Sequence, residues 1–116
     1  MANLNSVISA VTEELSRNTQ NIMGNRLRKI ILYGSYARGD YKEYSDLDVM
    51  VLADFDESEE KELENSIGRM SSRASLDHDI TVCMMLNNEN LFMSRLHMSP
   101  FYRNVISEGV EIYSSH

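Results

Sequence analysis

Two short motifs lie close together in the middle of the chain: Gly34-Ser35 at the end of one apolar run, and Asp46-x-Asp48 at the start of another. A glycine directly after a strand lets backbone N–H groups approach a phosphate closely. A helical turn starting there adds its own free N–H groups and the positive end of its dipole. The Ser35 hydroxyl supplies a further donor. The plain alternative is a strand-to-helix turn with Ser35 as its N-cap. Arg38, four residues past Gly34, either reaches a phosphate or pairs with Asp40 or Glu43.

Asp46 and Asp48 stand at i and i+2, which on a strand places both carboxylates on one face. At ~6.5 Å and an effective dielectric of ~20, their mutual repulsion is roughly 2.5 kcal/mol. A fold tolerates such a pair where a cation fills the gap or where one carboxyl becomes harder to ionise. Mg²⁺ takes hard oxygen ligands, keeps several waters, and is commonly held by one or two carboxylates together with substrate phosphate. A phosphate-holding turn beside paired carboxylates is the chemistry of metal-dependent nucleotidyl transfer. The plain alternative is an exposed strand start, with Ser45-Asp46 making a turn.

A third acid would make a two-ion site that clamps the attacking and leaving oxygens of an in-line displacement. Asp79 is the candidate, in a stretch read as a strand, Asp77 to Met85. If that strand neighbours the one carrying Asp48, Asp79 faces the pair across the ladder and can take the proton of an incoming hydroxyl. Asp77 shares its face and is not excluded. His78 points the other way and reads as a bystander. Tyr33, Tyr36, Tyr41 and Tyr44 surround the motif, and stacking of one of them on a base is not assigned to a particular ring.

The elements that must position these groups are legible as patterns. Residues 4–23 read as a helix with Leu4, Val7, Ile8, Val11 and Leu15 on one stripe, stopped at Gly24-Asn25. Arg28–Tyr33 reads as a strand buried on both faces. Ser35–Arg38 reads as one helical turn closed by Gly39, followed by a polar loop to Ser45. Leu47–Leu52 is the second strand. An acidic helix start follows at Asp56, with Glu59 at capping-box spacing and Leu63, Ile67 and Met70 on its buried stripe. Ser71–Ser75 reads as a small polar linker. After the third strand, Asn87-Asn88 makes a turn or cap, and Leu91, Phe92 and Leu96 suggest a short helix. Ser99-Pro100 opens another helix with Phe101, Val105 and Ile106 towards the core. Gly109 ends it, and Val110–Tyr113 is a final strand. The expected fold is α/β (α+β): a small mixed sheet with helices packed on it, in one domain over residues 1–116.

Composition narrows the partners. The chain has 116 residues and a formal charge of −7, which argues against general nucleic-acid binding because phosphate neutralisation needs clustered Lys and Arg. A nucleotide that brings its own cations is compatible with that charge. Cys83 is the single cysteine, so no internal disulfide forms, and it reads as a small buried side chain. No apolar leader or membrane-length run is present, which gives a cytoplasmic expectation.

Gly34-Ser35-Tyr36-Ala37-Arg38-Gly39 followed by Ser45-Asp46-Leu47-Asp48-Val49 resembles the signature of the DNA polymerase β-like nucleotidyltransferase superfamily, and most of all its minimal nucleotidyltransferase (MNT) group. The resemblance implies a polymerase β-like palm fold, with Gly34, Ser35 and Arg38 toward the triphosphate of ATP. It implies Asp46, Asp48 and Asp79 around Mg²⁺, as two ions, with Asp79 also assisting deprotonation. The implied reaction transfers AMP to a hydroxyl and releases pyrophosphate. Larger relatives carry a helical domain that helps form the acceptor site. With the chain ending near Tyr113, the acceptor is expected from another polypeptide, in this group a HEPN-domain toxin for which the MNT protein is the antitoxin. A homo-oligomer that builds the pocket is the other option. Two further readings stand beside this one: a non-catalytic module that neutralises a partner by contact, and a small-molecule (antibiotic) nucleotidyltransferase.

Overall fold

The computed structural model describes residues 6–115. Helix α1 (Ser6–Met23) leads into strand β1 (Leu27–Tyr33), the short α2 (Ser35–Arg38), β2 (Leu47–Ala53) and the long α3 (Glu57–His78). Strand β3 (Val82–Asn88), helices α4 (Glu89–Ser94) and α5 (Pro100–Glu108), and β4 (Val110–Ser114) complete the chain. The strands form one mixed sheet in the order β3-β2-β1-β4. β1 is antiparallel to β2 and β4, while β2 and β3 run parallel, joined by the crossover through α3. The mixed α/β expectation holds. No helix among the described residues is long and apolar enough to cross a membrane.

The alternation of β2 divides the molecule. Leu47, Val49, Val51 and Ala53 pack with Ile8, Val11 and Leu15 of α1 and with Leu63, Ile67 and Ala74 of α3. The opposite face is smaller: Met50 and Leu52 pack with Ile31, Phe92 of α4 and Val105 of α5. Asp48 belongs to this second face, because side chains two apart on a strand share a side. Gly109 lets the α5–β4 turn close onto β1, since a Cβ there would collide with the Val105 carbonyl and the Ile31 side chain.

The helix starts follow their local chemistry. Glu59 Oε1 accepts from the Asp56 N–H at 3.0 Å, so the capping-box expectation holds. Asn88 Oδ1 accepts from Leu91 N at 3.2 Å, and Ser99 Oγ from Tyr102 N at 3.1 Å ahead of Pro100.

Several expectations are corrected. Ser71–Ser75 is not a linker but the interior of α3. Its serines dock the helix on the sheet: Ser71 Oγ donates to the Val82 carbonyl at 2.6 Å, and Val82 N donates to Ser75 Oγ at 2.9 Å. The third strand therefore begins at Val82, not Asp77, and runs on through Asn87 and Asn88. On α1 the stripe is rotated: Val7 is exposed, and Thr12, Ser16 and Thr19 join Ile8, Val11 and Leu15 inside. Leu4 lies outside the described residues. On α5, Val105 is buried but Phe101 and Ile106 are exposed.

Candidate functional site

The end of β1 and the start of β2 are the same place in the sheet, because Tyr33 pairs with Asp48 in the antiparallel ladder. Directly after Tyr33, Gly34 takes φ +76°, a conformation that side chains with a Cβ rarely adopt. The reason is visible next door: a Cβ built at Gly34 would stand 2.5 Å from Asp48 Oδ2. The carboxylate lies against the glycine turn, and only a residue without a side chain leaves it that room. Gly34, not Ser35, is the N-cap of α2, whose turn is closed by Ala37 and Arg38 N–H groups donating to the Gly34 carbonyl at 3.1 Å. The leading N–H groups of such a turn have no partner within it.

Gly34, Ser35, Arg38, Asp46 and Asp48 line one cavity of about 560 Å³. Its rim adds Tyr33, Tyr44 and Ser45, and its far wall is α5. Phe101, Asn104, Val105 and Glu108 present themselves there at i, i+3, i+4 and i+7, one helical stripe. The Phe101 ring stands edge-on to Tyr33 at a centroid distance of 5.6 Å.

Asp48 is partly buried, and its carboxyl is held above the usual carboxylate range, first by burial and then by the charge of Asp46; Arg38 pulls the other way. Tyr33 is pushed up to about 12 by burial and then by the neighbouring Asp48 and Cys83, and its hydroxyl meets Met85 Sδ at 3.4 Å. Arg38 spans the cavity edge, with Nε 3.2 Å from Asp40 Oδ2 and Nη1 3.6 Å from Glu108 Oε2. The expected pairing with Asp40 is present, the alternative with Glu43 is not among the described ion pairs, and Glu108 enters as an additional partner.

Asp79 is not on a strand. It is the C-cap of α3 in the left-handed conformation, φ 52°, with its N–H donating to the Ser75 carbonyl. The residues that face β2 across the ladder are Val82, opposite Leu47, and Cys83, opposite Asp48. Asp79 lines a second cavity, on the other side of Tyr44 and Ser45, with Tyr36, Glu43 and Thr81. Asp77 lies in α3, paired with Arg73 at 3.4 Å. The expectation that either acid faces the Asp46–Asp48 pair across the sheet is therefore corrected. Among the described residues no three His, Cys, Asp or Glu side chains are grouped so as to hold a metal ion by themselves. His78 meets Glu14 at 3.3 Å, away from this cavity.

The place beside Asp48 belongs instead to Cys83, which is half-buried rather than a core filler. Burial raises its thiol, and the charges of Asp46 and Asp48 raise it further. Sequence periodicity missed Cys83 and Glu108, since only the strand register and the packing of α5 bring them here.

The donor set suits a hard cation. Two carboxylates stand at a strand start, one of them, Asp48, made reluctant to ionise first by burial and then by the charge of the other. Their free oxygens open on the same cavity as the glycine turn. A divalent ion held there would complete its shell with water and phosphate oxygens.

A strand, a glycine turn, and a second antiparallel strand that opens with paired carboxylates define the nucleotidyltransferase class. Residues 9–110 match the family model for the nucleotidyltransferase domain, and the chain belongs to that family. It is a nucleotidyltransferase by this membership. A Methanocaldococcus jannaschii protein that carries the provisional name protein adenylyltransferase is 36% identical over 88 residues, 76% of this chain and 80% of that one. Among solved structures, a toxin–antitoxin complex with AMP-PNP aligns at TM-score 0.57 and 18% identity, over 90% of this chain and 74% of its own. A complex of tri-AMPylated Shewanella oneidensis HEPN toxin with MNT antitoxin aligns at TM-score 0.55 and 15% identity, over 92% of this chain and 72% of its own. At such identities these structures share the fold with this chain.

Proposed function

We propose that this protein transfers AMP from ATP, with Mg²⁺, to a hydroxyl of a partner protein, and that the partner is a HEPN-domain toxin for which it serves as antitoxin. The observation that supports the chemistry is the packing of the Asp48 carboxylate against the Gly34 turn, which suits a cation ligand beside a phosphate-holding turn. The partner reading draws support from fold neighbours that are toxin–antitoxin complexes, one with AMP-PNP and one with an AMPylated toxin.

In this account the N–H groups at the start of α2 and the Ser35 hydroxyl hold the β- and γ-phosphates. Asp46 and Asp48 would hold Mg²⁺, and Arg38, paired with Asp40 and Glu108 at the cavity edge, would be the cation available to the phosphates. When bound, the cation neutralises phosphate charge and makes the α-phosphorus more open to attack. The acceptor oxygen attacks in line with the departing pyrophosphate. α5 screens one side of the cavity from water through Phe101 and Val105. Asp79 takes no part in this mechanism.

Incubation with α-labelled ATP, Mg²⁺ and a co-expressed HEPN-domain protein tests the proposal. Label on that protein, lost in Asp46→Asn/Asp48→Asn, supports it. Neutralisation that survives the double substitution unchanged points to a binding module, and label on an aminoglycoside with no protein acceptor points to a small-molecule enzyme.

A further inference from the structure

The polar loop between α2 and β2 carries a tyrosine that the mechanism above does not use. Tyr44 is 89% exposed, although it lines the same cavity as Gly34, Ser35, Asp46 and Asp48. The loop is folded back on itself there: Ser45 N donates to the Lys42 carbonyl at 3.0 Å, and Lys42 N donates to Ser45 Oγ at 2.8 Å. That turn presents Glu43 and Tyr44 at its tip, two residues before the carboxylate pair.

The other tyrosines are committed elsewhere. The Tyr33 hydroxyl is spent on Met85 Sδ beneath Phe101. Tyr36 and Tyr41 stack on each other at 4.4 Å, and Tyr102 reaches Asn87. Tyr113 pairs with Ile30 in the ladder at the β4 edge of the sheet. Tyr44 is the tyrosine of the cavity whose hydroxyl makes no hydrogen bond among the described residues, and its loop leads directly into the carboxylate pair.

We propose that Tyr44 is an acceptor for this protein's own transfer reaction, so that the chain adenylylates itself, in cis, on the loop that rims its nucleotide site. This rests on the adenylyl-transfer reading and deepens it by naming a phenolic hydroxyl of the chain as a substrate. The Tyr44 Oη attacks the α-phosphorus of ATP, and an aryl phosphodiester O–P bond forms. The bond from that phosphorus to the oxygen bridging the β-phosphate breaks, pyrophosphate leaves, and the phenolic proton passes to solvent. No oxidation or reduction is involved. Tyr44 accepts one adenylyl group, because the transfer consumes its phenolic hydroxyl.

The test uses the full chain with ATP and Mg²⁺ and no other protein. Intact mass and peptide mapping are read across a range of protein concentrations, and ATP·Mg²⁺ binding is measured separately by calorimetry. The expected result is an adduct of one adenylyl group on Tyr44, formed at a rate independent of dilution. It should be absent in Tyr44→Phe, which keeps the ring and removes only the hydroxyl, and present in Tyr41→Phe. A wild-type chain that binds ATP·Mg²⁺ but carries no adduct at Tyr44, or carries it at another residue, overturns the inference and leaves the nucleotide-site reading standing. An adduct whose rate falls in proportion to dilution overturns the intramolecular form. A chain that binds no ATP·Mg²⁺ fails the underlying reading, and this inference with it.

Discussion

The two faces of the sheet are built from the same strands and do opposite things. One face is sealed by α1 and α3 with a continuous aliphatic core, and β2 gives it Leu47, Val49, Val51 and Ala53, all fully buried. The other is covered by two shorter helices, and its packing stops one residue pair short of the strand end, between Met50 and Asp48. Beyond that point the alternation continues with carboxylates in place of methyl groups. The lesson is that the site is the unfinished edge of the smaller core. The large core holds the strand ends rigid, so the open face can carry a pair of like charges.

The largest effect that would break this comparison is at the carboxylates. Asp48→Asn is expected to lower nucleotidyl transfer by on the order of 100-fold or more, with the fold intact by circular dichroism, because on the proposed reading it removes a cation ligand. Transfer within a few-fold of wild type would remove Asp48 from the chemistry.

Gly34→Ala comes next. The new methyl meets the Asp48 carboxylate, and the positive φ adds strain of about 1–2 kcal/mol. Transfer should fall at least ~10-fold, and the loss of stability should appear in a chemical denaturation curve. The converse belongs to the sealed face. Leu15→Ala should cost about 3 kcal/mol by cavity formation, while activity per folded molecule, measured well below the melting temperature, stays close to wild type.

A smaller effect sharpens the electrostatic side. Asp48 is harder to ionise in the fold than in the unfolded chain, so without cation its ionised form opposes folding at neutral pH. That part of stability is fully present below the ordinary carboxylate value of about 3.9 and is lost as pH rises through the higher native value. Asp48→Asn should therefore be more stable than wild type at pH 7 in EDTA, and the difference should shrink toward pH 3. Denaturant midpoints across that range check the sign. The smallest effect is at Asp79: Asn accepts the left-handed cap conformation, so Asp79→Asn should change transfer by less than about threefold. A loss comparable to that of Asp48→Asn would return this acid to the site.

The motif itself was legible because its parts are close in sequence. Gly34 follows a run of apolar residues, and the two acids obey the period of a strand, so one local rule gives the turn and the shared face. The ends of β1, β2 and β4, to within one residue, and the caps at Asp56, Asn88 and Ser99 were likewise written in neighbouring residues. What was not legible depends on contacts between distant segments. Three small polar residues at 71, 72 and 75 look like a linker until Val82 is seen to bond with two of them. Extending α3 through them moves Asp79 from a strand to a helix cap. Cys83 lies in an apolar run and reads as core, and only the parallel register with β2 sets it beside Asp48. On α5 Val105 alone is buried, and the stripe it shares with Phe101, Asn104 and Glu108 faces the cavity.

On the proposed reading, nucleotide and cation meet between the glycine turn and the paired carboxylates on the open face. Paramagnetic broadening of assigned backbone amide resonances by Mn²⁺ in the presence of AMP-PNP tests it most directly. Gly34, Ser35, Asp46, Asp48 and Cys83 should broaden first, while α1 and the stretch around Asp79 keep their intensity longest. Broadening centred on Asp79 and Thr81, with Gly34 and Asp48 unaffected, would contradict it.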